Sequence, residues 1–383
     1  MPEPAALAHD LPRSGIRAIM ELAQTVGGDV IHLEVGDPDF TTPDHVVRAA
    51  AEAAAAGLTH YAPNAGLASL RERIAEKLER ANRLNVTPEQ VVVTPGSGEA
   101  LFSTTLALVD PGDEVLLPDP VWPNFVQMVV AAKAQAVPYP LDRHTDFQPD
   151  VDALEQLVSP RTKLLVVNSP GNPTGAVFAR GTMRRLADFA ERHDLYIVGD
   201  ECYERIIFEG EHVSMAEEAG FERTVVIQSF SKTYAMTGWR VGYAVASPEV
   251  AGILAGLQEP IVSCASTVSQ KAAEAALTGP QAPVDAMCAA YRRRRDLAVD
   301  IVGRAGLLPA VPHGAFYMLV DVSAAGSDTY AFARDLVLRD HVAVAPGETF
   351  GRGGAGLVRV SLAADERQLT EGLSRLVAAV QRC

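Results

Sequence analysis

The chain has 383 residues and a formal net charge of −15, from 33 basic and 48 acidic side chains. This acidity excludes nucleic acid and anionic membranes as main partners, although local positive charge can still bind a small anion. Hydrophobic residues make up 48% of the chain, enough for a full core and too many for a disordered protein.

Helices and short apolar strands alternate along most of the chain. The first ~30 residues predict an arm and a short helix. The helices that follow are predicted at 45–56, 67–80, 100–109, 182–193, 265–277, 284–303 and 329–338. Strands are predicted at 91–94, 114–117, 163–168, 195–200, 224–229, 241–246, 315–320, 342–345 and 357–362. Because apolar strands separated by helices are typical of a mostly parallel sheet covered on both faces, we predict an α/β fold.

The length favours two or three domains, although one large α/β unit with an appendage also fits. The last strands, grouped around the helix at 329–338, predict a smaller α+β domain beside a large one. We place the N-terminal arm and part of the small domain at 1–42, the large domain at 43–280, and the small C-terminal domain at 281–383.

Small, polar and ionisable residues follow several of the predicted strands. Thr94 leads into Gly96-Ser97-Gly98, and Asn168 leads into Asn172-Pro173-Thr174-Gly175. The next two strands end at Asp200 and at Ser229. One such end is ordinary turn composition, but ligands of open α/β sheets bind beyond the carboxyl ends of the strands. The set of ends therefore predicts a binding site.

Lys232 is the strongest candidate for a reacting group. It follows a buried strand, where an amine loses water and becomes a better nucleophile. Ser229 and Ser231 flank it, and Arg240 lies eight positions further on. Hydroxyl groups together with a guanidinium fork suit a phosphate. The ordinary alternative is a serine-rich surface loop, which Trp239 and the apolar strands on both sides argue against.

Three further features complete the pattern. Gly96-Ser97-Gly98 joins a strand to a helix, whose free N–H groups and positive dipole end can bind a phosphate. Asp200 ends an apolar strand, where a buried carboxylate needs a cation such as a protonated ring nitrogen; an N-cap or turn role is the alternative. Trp122 can stack on a flat ring, with core packing as an equal alternative.

A lysine amine, a carboxylate, an aromatic plane and a phosphate cup together fit pyridoxal phosphate. The chain resembles the class I and II aminotransferases, which are fold-type I pyridoxal-phosphate enzymes of the aspartate aminotransferase superfamily. The resemblance covers nearly the whole chain and is carried by segments 36–40, 61–63, 172–175, 200–203, 229–232, 238–242, 314–317 and 359–361. The ordered set is highly specific, although no single segment is.

The resemblance implies a reaction and a role for each matched residue. The reaction moves an amino group between an α-amino acid and a 2-oxo acid. Lys232 would form a Schiff base with the cofactor and move a proton between the substrate Cα and C4′. Asp200 would pair with the pyridinium nitrogen, and Asn172 and Tyr203 would bond to the phenolic O3′. Trp122 would stack on the ring.

Other residues are implied to bind the phosphate and the substrate. The implied phosphate ligands are Ser97, Gly98, Ser229, Ser231 and Arg240, with Glu99 at the edge of that loop. Arg359 would bind the α-carboxylate, with Asn172 and the backbone of Gly36. Ile16 lies in an arm that would fold over the substrate and favours an apolar contact, and no arginine in a recognised motif marks a site for a second carboxylate. Together these features hint at a neutral or promiscuous amino donor. A homodimer with shared sites is implied, in which Tyr61 reaches the phosphate of the neighbouring subunit.

Three other functions fit parts of the pattern. A β-lyase, racemase, decarboxylase or oxidase would use the same fold and cofactor. A regulator that senses pyridoxal phosphate would need an added DNA-binding domain, for which motifs that start at Gly36 leave no room. A nicotinamide-dependent dehydrogenase would need a G-x-G-x-x-G loop between a strand and a helix. After Gly96 and Gly98, Leu101 stands where the third glycine would fall, and the complete motif at Gly351, Gly353 and Gly356 precedes a predicted strand.

Neither a membrane anchor nor a cysteine-based site is expected. No apolar run approaches the ~18 residues of a membrane helix. The first ten residues have no basic segment before an apolar one, which argues against a secretory signal. The cysteines are far apart, so we expect no disulfide framework and no metal site; they are Cys202, Cys264, Cys288 and Cys383. We therefore expect a cytoplasmic enzyme.

Overall fold

The computed structural model describes residues 2–5, 7, 9, 11–12 and 14–382. Cys202, Cys264 and Cys288 are free thiols, and Cys383 lies outside the described residues. The strands are β1 (Ile31–His32), β2 (Val91–Thr94), β3 (Glu114–Asp119), β4 (Gln135–Pro140), β5 (Thr162–Asn168), β6 (Tyr196–Asp200), β7 (Thr224–Ser229), β8 (Gly242–Val245), β9 (Tyr317–Asp321), β10 (Val342–Ala343), β11 (Ala345–Pro346) and β12 (Leu357–Ser361).

The α-helices cover most of the segments between these strands. They are α1 (Gly15–Val26), α2 (Asp44–Ala55), α3 (Ala68–Asn82), α4 (Ser97–Leu108), α5 (Asn124–Ala131), α6 (Val151–Leu154), α7 (Arg180–Arg192), α8 (Met215–Ala219), α9 (Phe230–Thr233), α10 (Pro248–Ile261), α11 (Thr267–Thr278), α12 (Ala282–Arg304), α13 (Thr329–Asp340) and α14 (Glu366–Gln381). In the described part of the chain, no helix combines the length and apolarity needed to cross a membrane. The cytoplasmic location stays a prediction.

Seven strands form the central sheet, in the order β2-β8-β7-β6-β5-β3-β4. Only β8 runs antiparallel to its neighbours β2 and β7, so the prediction of a mostly parallel sheet is confirmed. The parallel run places the carboxyl ends of β5, β6 and β7 side by side at one edge. The residues that follow these strands therefore meet there.

Helices cover both faces of this sheet because its strands are apolar on both sides. Along β7, Val225 and Ile227 pack into one hydrophobic cluster with Leu101 of α4 and Leu254 of α10. Val226 points the other way and packs into the cluster on the opposite face. This alternation follows from the two-residue period of a strand. The α/β layering expected from the sequence is confirmed.

A smaller antiparallel sheet has the order β11-β12-β9, and β1 pairs in parallel with β10. Ile31 is in register with Val342, so the N-terminal segment is joined to the C-terminal part of the chain. This pairing brings Leu33 and Glu34 to β12, where the Ser361 N–H donates to the Leu33 carbonyl oxygen at 2.8 Å. The domain boundaries at 42/43 and 280/281 stay predictions.

Two strands, β1 and β4, were not expected from the sequence. β4 contains Pro138 and Pro140, which cannot donate to a ladder and which argue against a strand. It lies at the edge of the sheet beside β3, where a missing donor faces away from the ladder and is tolerated. The strand predicted at 342–345 is two short strands separated at Val344.

Candidate active site

A cavity of about 420 Å³ opens where the central sheet meets α1, β9 and β12. Several of the predicted site residues line it together: Ile16, Gly36, Ser97, Trp122, Asn172, Asp200, Tyr203, Lys232 and Arg359. Six others do not line it: Tyr61, Gly98, Glu99, Ser229, Ser231 and Arg240. The cavity therefore collects the predicted ring, amine and carboxylate groups, and of the predicted phosphate ligands it is lined by Ser97 alone.

Lys232 lies on the one-turn helix α9 that directly follows β7. Ser229 caps this turn, because its hydroxyl accepts a hydrogen bond from the Ser231 backbone N–H at 3.1 Å. The Lys232 Nζ donates to the carbonyl oxygen of Gly36 at 2.6 Å and lies 5.7 Å from the centre of the Phe316 ring. Among the described residues Lys232 makes no ion pair. The amine is thus presented to the cavity without a carboxylate that would hold it elsewhere.

Asp200 is a buried carboxylate at the end of β6, paired in register with Asn168 of β5. Its Oδ1 accepts a hydrogen bond from the Cys202 backbone N–H at 3.3 Å. Burial raises the pKa of this carboxyl from 3.8 to about 6. Within the described chain no cationic side chain pairs with it. A cationic group of a ligand would satisfy this carboxylate and lower its pKa.

An anion-binding corner lies at the amino end of α4. Gly96 precedes the helix with φ of 82°, a conformation that favours glycine. A Cβ at this position would lie 2.5 Å from the Arg240 guanidinium, which shows how closely the guanidinium approaches the backbone. A Cβ at Gly242 would lie 2.6 Å from the Ser97 backbone nitrogen, and Gly242 is in register with Ser229. Backbone N–H groups, a hydroxyl and a guanidinium thus meet at one helix end.

Glu99 is in the first turn of α4, but its side chain faces another helix. The carboxylate accepts hydrogen bonds from Ser103 and, at 2.8 Å, from Gln258 of α10. Burial raises the pKa of Glu99. Its predicted place beside a phosphate therefore depends on its backbone N–H rather than on its carboxylate.

Arg359 lines the cavity from β12, and only 2% of its surface is exposed. One guanidinium nitrogen donates to Asn172 Oδ1 at 3.0 Å, and another donates to the Glu34 carbonyl oxygen. The guanidinium carbon lies 4.3 Å from the centre of the Tyr317 ring. Burial lowers the pKa of Arg359, and its Nε has no partner in the described part of the chain. A buried guanidinium with an unused donor suits an anionic ligand.

Two lining residues received no role from the sequence. The Tyr317 hydroxyl lies 2.9 Å from the Tyr203 hydroxyl and presses on Gly36, where any Cβ would overlap it. Arg17 lies on α1 beside Ile16 and is exposed, and its guanidinium donates to the Met20 sulfur at 3.7 Å. Both residues lie in segments that resemble the family, Tyr317 in 314–317 and Arg17 in 14–17. The sequence of these segments does not show which way the two side chains point.

The chain is similar to proteins of known type over almost its full length. The family described as aminotransferase class I and II matches residues 28–376. An aspartate/prephenate aminotransferase from Thermus thermophilus is 42% identical over 93% of this chain and 92% of its own. An arginine–pyruvate transaminase from Pseudomonas aeruginosa is 38% identical over 94% of this chain and 92% of its own. The structure of Thermus thermophilus aspartate aminotransferase with maleate has a TM-score of 0.95 at 39% identity, covering 99% of this chain and 100% of that one.

Proposed function

The chain belongs to the class I and II aminotransferases and is a transaminase, and we propose that it works with pyridoxal 5′-phosphate bound in the cavity that Lys232 lines. Members of this family are pyridoxal-phosphate enzymes. The observation that supports the proposal most is the grouping of a half-buried amine, a buried carboxylate without a cation and an anion-binding helix end around one cavity. Across the described residues, no ion pair or hydrogen bond joins the amine, the carboxylate and the helix end to one another, so each is able to bind a ligand.

The residues present fit this cofactor. The unpaired Asp200 carboxylate would bind the protonated ring nitrogen, and Trp122 would cover a face of the ring. Asn172 and Tyr203 would hydrogen-bond to the ring hydroxyl oxygen. The backbone and side chains proposed for the phosphate are Ser97, Gly98, Glu99 through its N–H, Ser229, Ser231 and Arg240. When bound, pyridoxal phosphate supplies an aldehyde for the amino group and a ring that accepts electrons from Cα.

The chain's own residues would supply positioning and proton transfer. Arg359 would hold the substrate α-carboxylate, assisted by Asn172 and the backbone of Gly36. This contact fixes the Cα–H bond relative to Lys232, whose Nζ would take the proton and return it. Tyr317 packs on Gly36, and its hydroxyl is hydrogen-bonded to that of Tyr203. It would therefore hold the substrate-binding backbone of Gly36 and the cofactor-binding Tyr203 in a fixed relative position.

Transfer of a labelled amino group tests the reaction class. We expect ¹⁵N from a labelled amino acid to appear in the amino acid formed from an added 2-oxo acid. The alternatives on the same fold give different products: released ammonia for a β-lyase, the D-enantiomer for a racemase, carbon dioxide for a decarboxylase, and oxygen consumption for an oxidase. Any of these in place of ¹⁵N transfer would contradict the transaminase reaction.

Arg359→Lys is expected to lower kcat/KM roughly 10- to 100-fold for every α-amino acid donor. Lysine keeps the charge but cannot form the two parallel hydrogen bonds of a guanidinium with a carboxylate, and such bonds to charged groups contribute about 1.5–3 kcal/mol. Steady-state kinetics with aspartate, alanine and leucine measure the effect. Arg367→Lys, at an exposed position on α14, is the matched control. A loss confined to one donor would make Arg359 a side-chain selector instead.

We also propose that acidic amino acids are among the donors. A relative is named an aspartate/prephenate aminotransferase. In this chain Arg17 supports the same class, because it lines the cavity and has no carboxylate partner among the described residues. Ile16 and Met20 line the cavity next to it, so an ion pair formed there would be partly shielded from water.

Arg17→Gln is expected to lower kcat/KM for aspartate and glutamate roughly 3- to 10-fold, because one partly shielded charge pair is lost. Alanine has no second carboxylate, so its kcat/KM should stay unchanged. Arg48→Gln, at an exposed position on α2, controls for the change in net charge. An equal loss for alanine, or no loss for aspartate, would contradict the role of Arg17.

The active unit is proposed to be a homodimer in which each site receives Tyr61 from the other subunit. Tyr61 is 87% exposed and does not line the cavity of its own chain. An exposed ring that lies outside the cavity of its own chain is free to reach the site of a second subunit. A two-fold interface is self-complementary, so both sites would receive the same contribution, one charge-assisted hydrogen bond to the phosphate.

Mixed dimers of Lys232→Ala and Tyr61→Phe subunits test this sharing. In a hybrid, one site combines the intact Lys232 of one chain with the intact Tyr61 of the other. We expect that site to recover wild-type cofactor affinity and turnover, which neither parent homodimer has. Hybrids that show only the average of the two parents would mean that Tyr61 does not act across an interface.

A further inference from the structure

A second polar cluster lies behind the turn that carries Asp200 and Tyr203. Each of these two cavity-lining residues is followed in the sequence by a glutamate, Glu201 and Glu204. Neither glutamate lines the cavity, and Glu201 is 1% exposed. Within residues 200–204, Asp200 and Tyr203 therefore face the proposed cofactor, whereas Glu201 and Glu204 face away from the cavity.

Glu201 is bonded through both carboxylate oxygens. Its Oε1 accepts from the Ser214 hydroxyl at 2.7 Å and from the Met215 backbone N–H at 2.9 Å. Its Oε2 accepts from Gln228 at 3.1 Å and lies 3.1 Å from the His212 Nε2. Four contacts, from β7, from the first residue of α8 and from the segment before it, thus fix the residue next to Asp200.

Glu204 is also hydrogen-bonded, mainly by residues of helix α3. Its carboxylate accepts hydrogen bonds from Lys77 and Asn82 of α3, and from Gln228 at 3.1 Å. The Lys77 Nζ also donates to Gln228 Oε1 at 2.6 Å, so Gln228 links the two glutamates. Burial lowers the pKa of Lys77, and the charge of Glu204 opposes this.

The charges of the cluster balance when His212 is protonated. Burial on its own would lower the pKa of His212, but the charge and hydrogen bond of Glu201 raise it above the ordinary value. Glu201 also adds to the effect of burial in raising the pKa of Asp200. A protonated His212 offsets this negative charge. The cluster thus acts on Asp200 in two ways: it fixes the backbone at the neighbouring Glu201, and it sets the charge close to the Asp200 carboxylate.

We propose that the cluster of Lys77, Glu201, Glu204, His212 and Gln228 positions Asp200 and Tyr203 for the cofactor, with His212 as the counter-charge that keeps Glu201 from weakening the Asp200 contact. These are positioning residues, since each acts through a neighbour. Buried ion pairs add little net stability compared with apolar packing, so stability alone is a weak reason for five polar groups here. The inference rests on the proposed cofactor.

The test compares single and double neutral variants of the holoenzyme. His212→Gln leaves a buried, uncompensated Glu201 beside Asp200, so we expect pyridoxal phosphate to dissociate about tenfold faster and kcat to fall about tenfold, with the KM of the donor unchanged. Glu201→Gln added to His212→Gln removes the unpaired charge and is expected to restore both values to within about threefold of wild type. Loss of cofactor absorbance on dilution gives the dissociation rate.

Glu114→Gln is the matched control, because Glu114 is also a buried carboxylate, bonded to Ser159 at 2.6 Å and to Thr162 at 3.2 Å. It lies at the amino end of β3, whereas Asp200 lies at the carboxyl end of β6. We expect it to lower Tm without changing cofactor dissociation or kcat. Wild-type dissociation and kcat in His212→Gln, or a double variant no better than the single one, would overturn the inference. A wild-type protein that binds no pyridoxal phosphate would overturn the proposed cofactor and this inference together.

Discussion

Lys232→Ala is expected to abolish transamination, lowering kcat by at least about 10⁴-fold. The amine has two proposed tasks, the covalent hold on the cofactor and the transfer of the Cα proton, and general acid–base catalysis by one side chain contributes about 10²–10⁴-fold by itself. Among the described residues the Nζ donates one hydrogen bond, to the Gly36 carbonyl, so its loss removes little from the fold. The variant should therefore fold and should retain some cofactor through the phosphate ligands.

Steady-state kinetics and a covalent label check this expectation together. Borohydride treatment of the wild-type holoenzyme should add the mass of the reduced cofactor to the peptide that contains Lys232, and the variant should take up no such mass. Lys271→Ala is the control, since Lys271 pairs with Glu274 on α11 at 2.7 Å and does not line the cavity. Normal turnover by Lys232→Ala, or a label on another lysine, would refute the assignment.

The positions of Lys232 and Asp200 could be predicted because of one rule of sheet geometry. Both follow apolar strands, and the carboxyl ends of neighbouring parallel strands meet at the same edge. The register of Asn168 with Asp200 brings the predicted Asn172 loop to this edge as well. The family resemblance, which is confirmed, then supplied Arg359, which lies on another sheet and which local pattern alone would not connect to the others.

The side-chain directions could not be predicted in the same way. Glu99 occupies a helix start that suits an anion site, yet packing against Gln258 of α10 turns its carboxylate away. The direction of Arg17 depends on how α1 lies over the cavity. The ion pair of Lys77 with Glu204 joins residues 127 positions apart, and no local period carries that information. The directions of these side chains depend on burial and on contacts between residues that are far apart in the sequence.

Asp200→Asn is expected to lower kcat about 10³-fold while leaving the fold intact. The carboxylate would hold the ring nitrogen protonated, which an amide of the same shape cannot do. Preorganised charges of this kind contribute about 10²–10³-fold or more to the rate. Asp110→Asn, an exposed position after α4, is the control. An Asn variant with near wild-type kcat would contradict the role of Asp200.

The same substitution should have the opposite effect on the stability of the cofactor-free protein. The pKa of Asp200 rises on folding, from 3.8 to about 6, so between these pH values the folded state binds more protons than the unfolded state. Ionisation therefore costs stability as pH rises through this window, and the cost is complete above it, at roughly 3 kcal/mol. Asp200→Asn removes this cost. Its urea-unfolding free energy should exceed that of wild type at pH 8, with the difference shrinking towards pH 4.

A difference that does not change between pH 4 and pH 8 would contradict this account, because a packing effect of the amide has no reason to titrate. With pyridoxal phosphate bound, the sign should reverse, since the ring cation then pairs with the carboxylate and the wild type gains the stability that the variant lacks. The carboxylate that weakens the empty fold is the one proposed to bind the cofactor. Catalysis and the stability of the free chain thus place opposite demands on Asp200, and binding of the cofactor reconciles them.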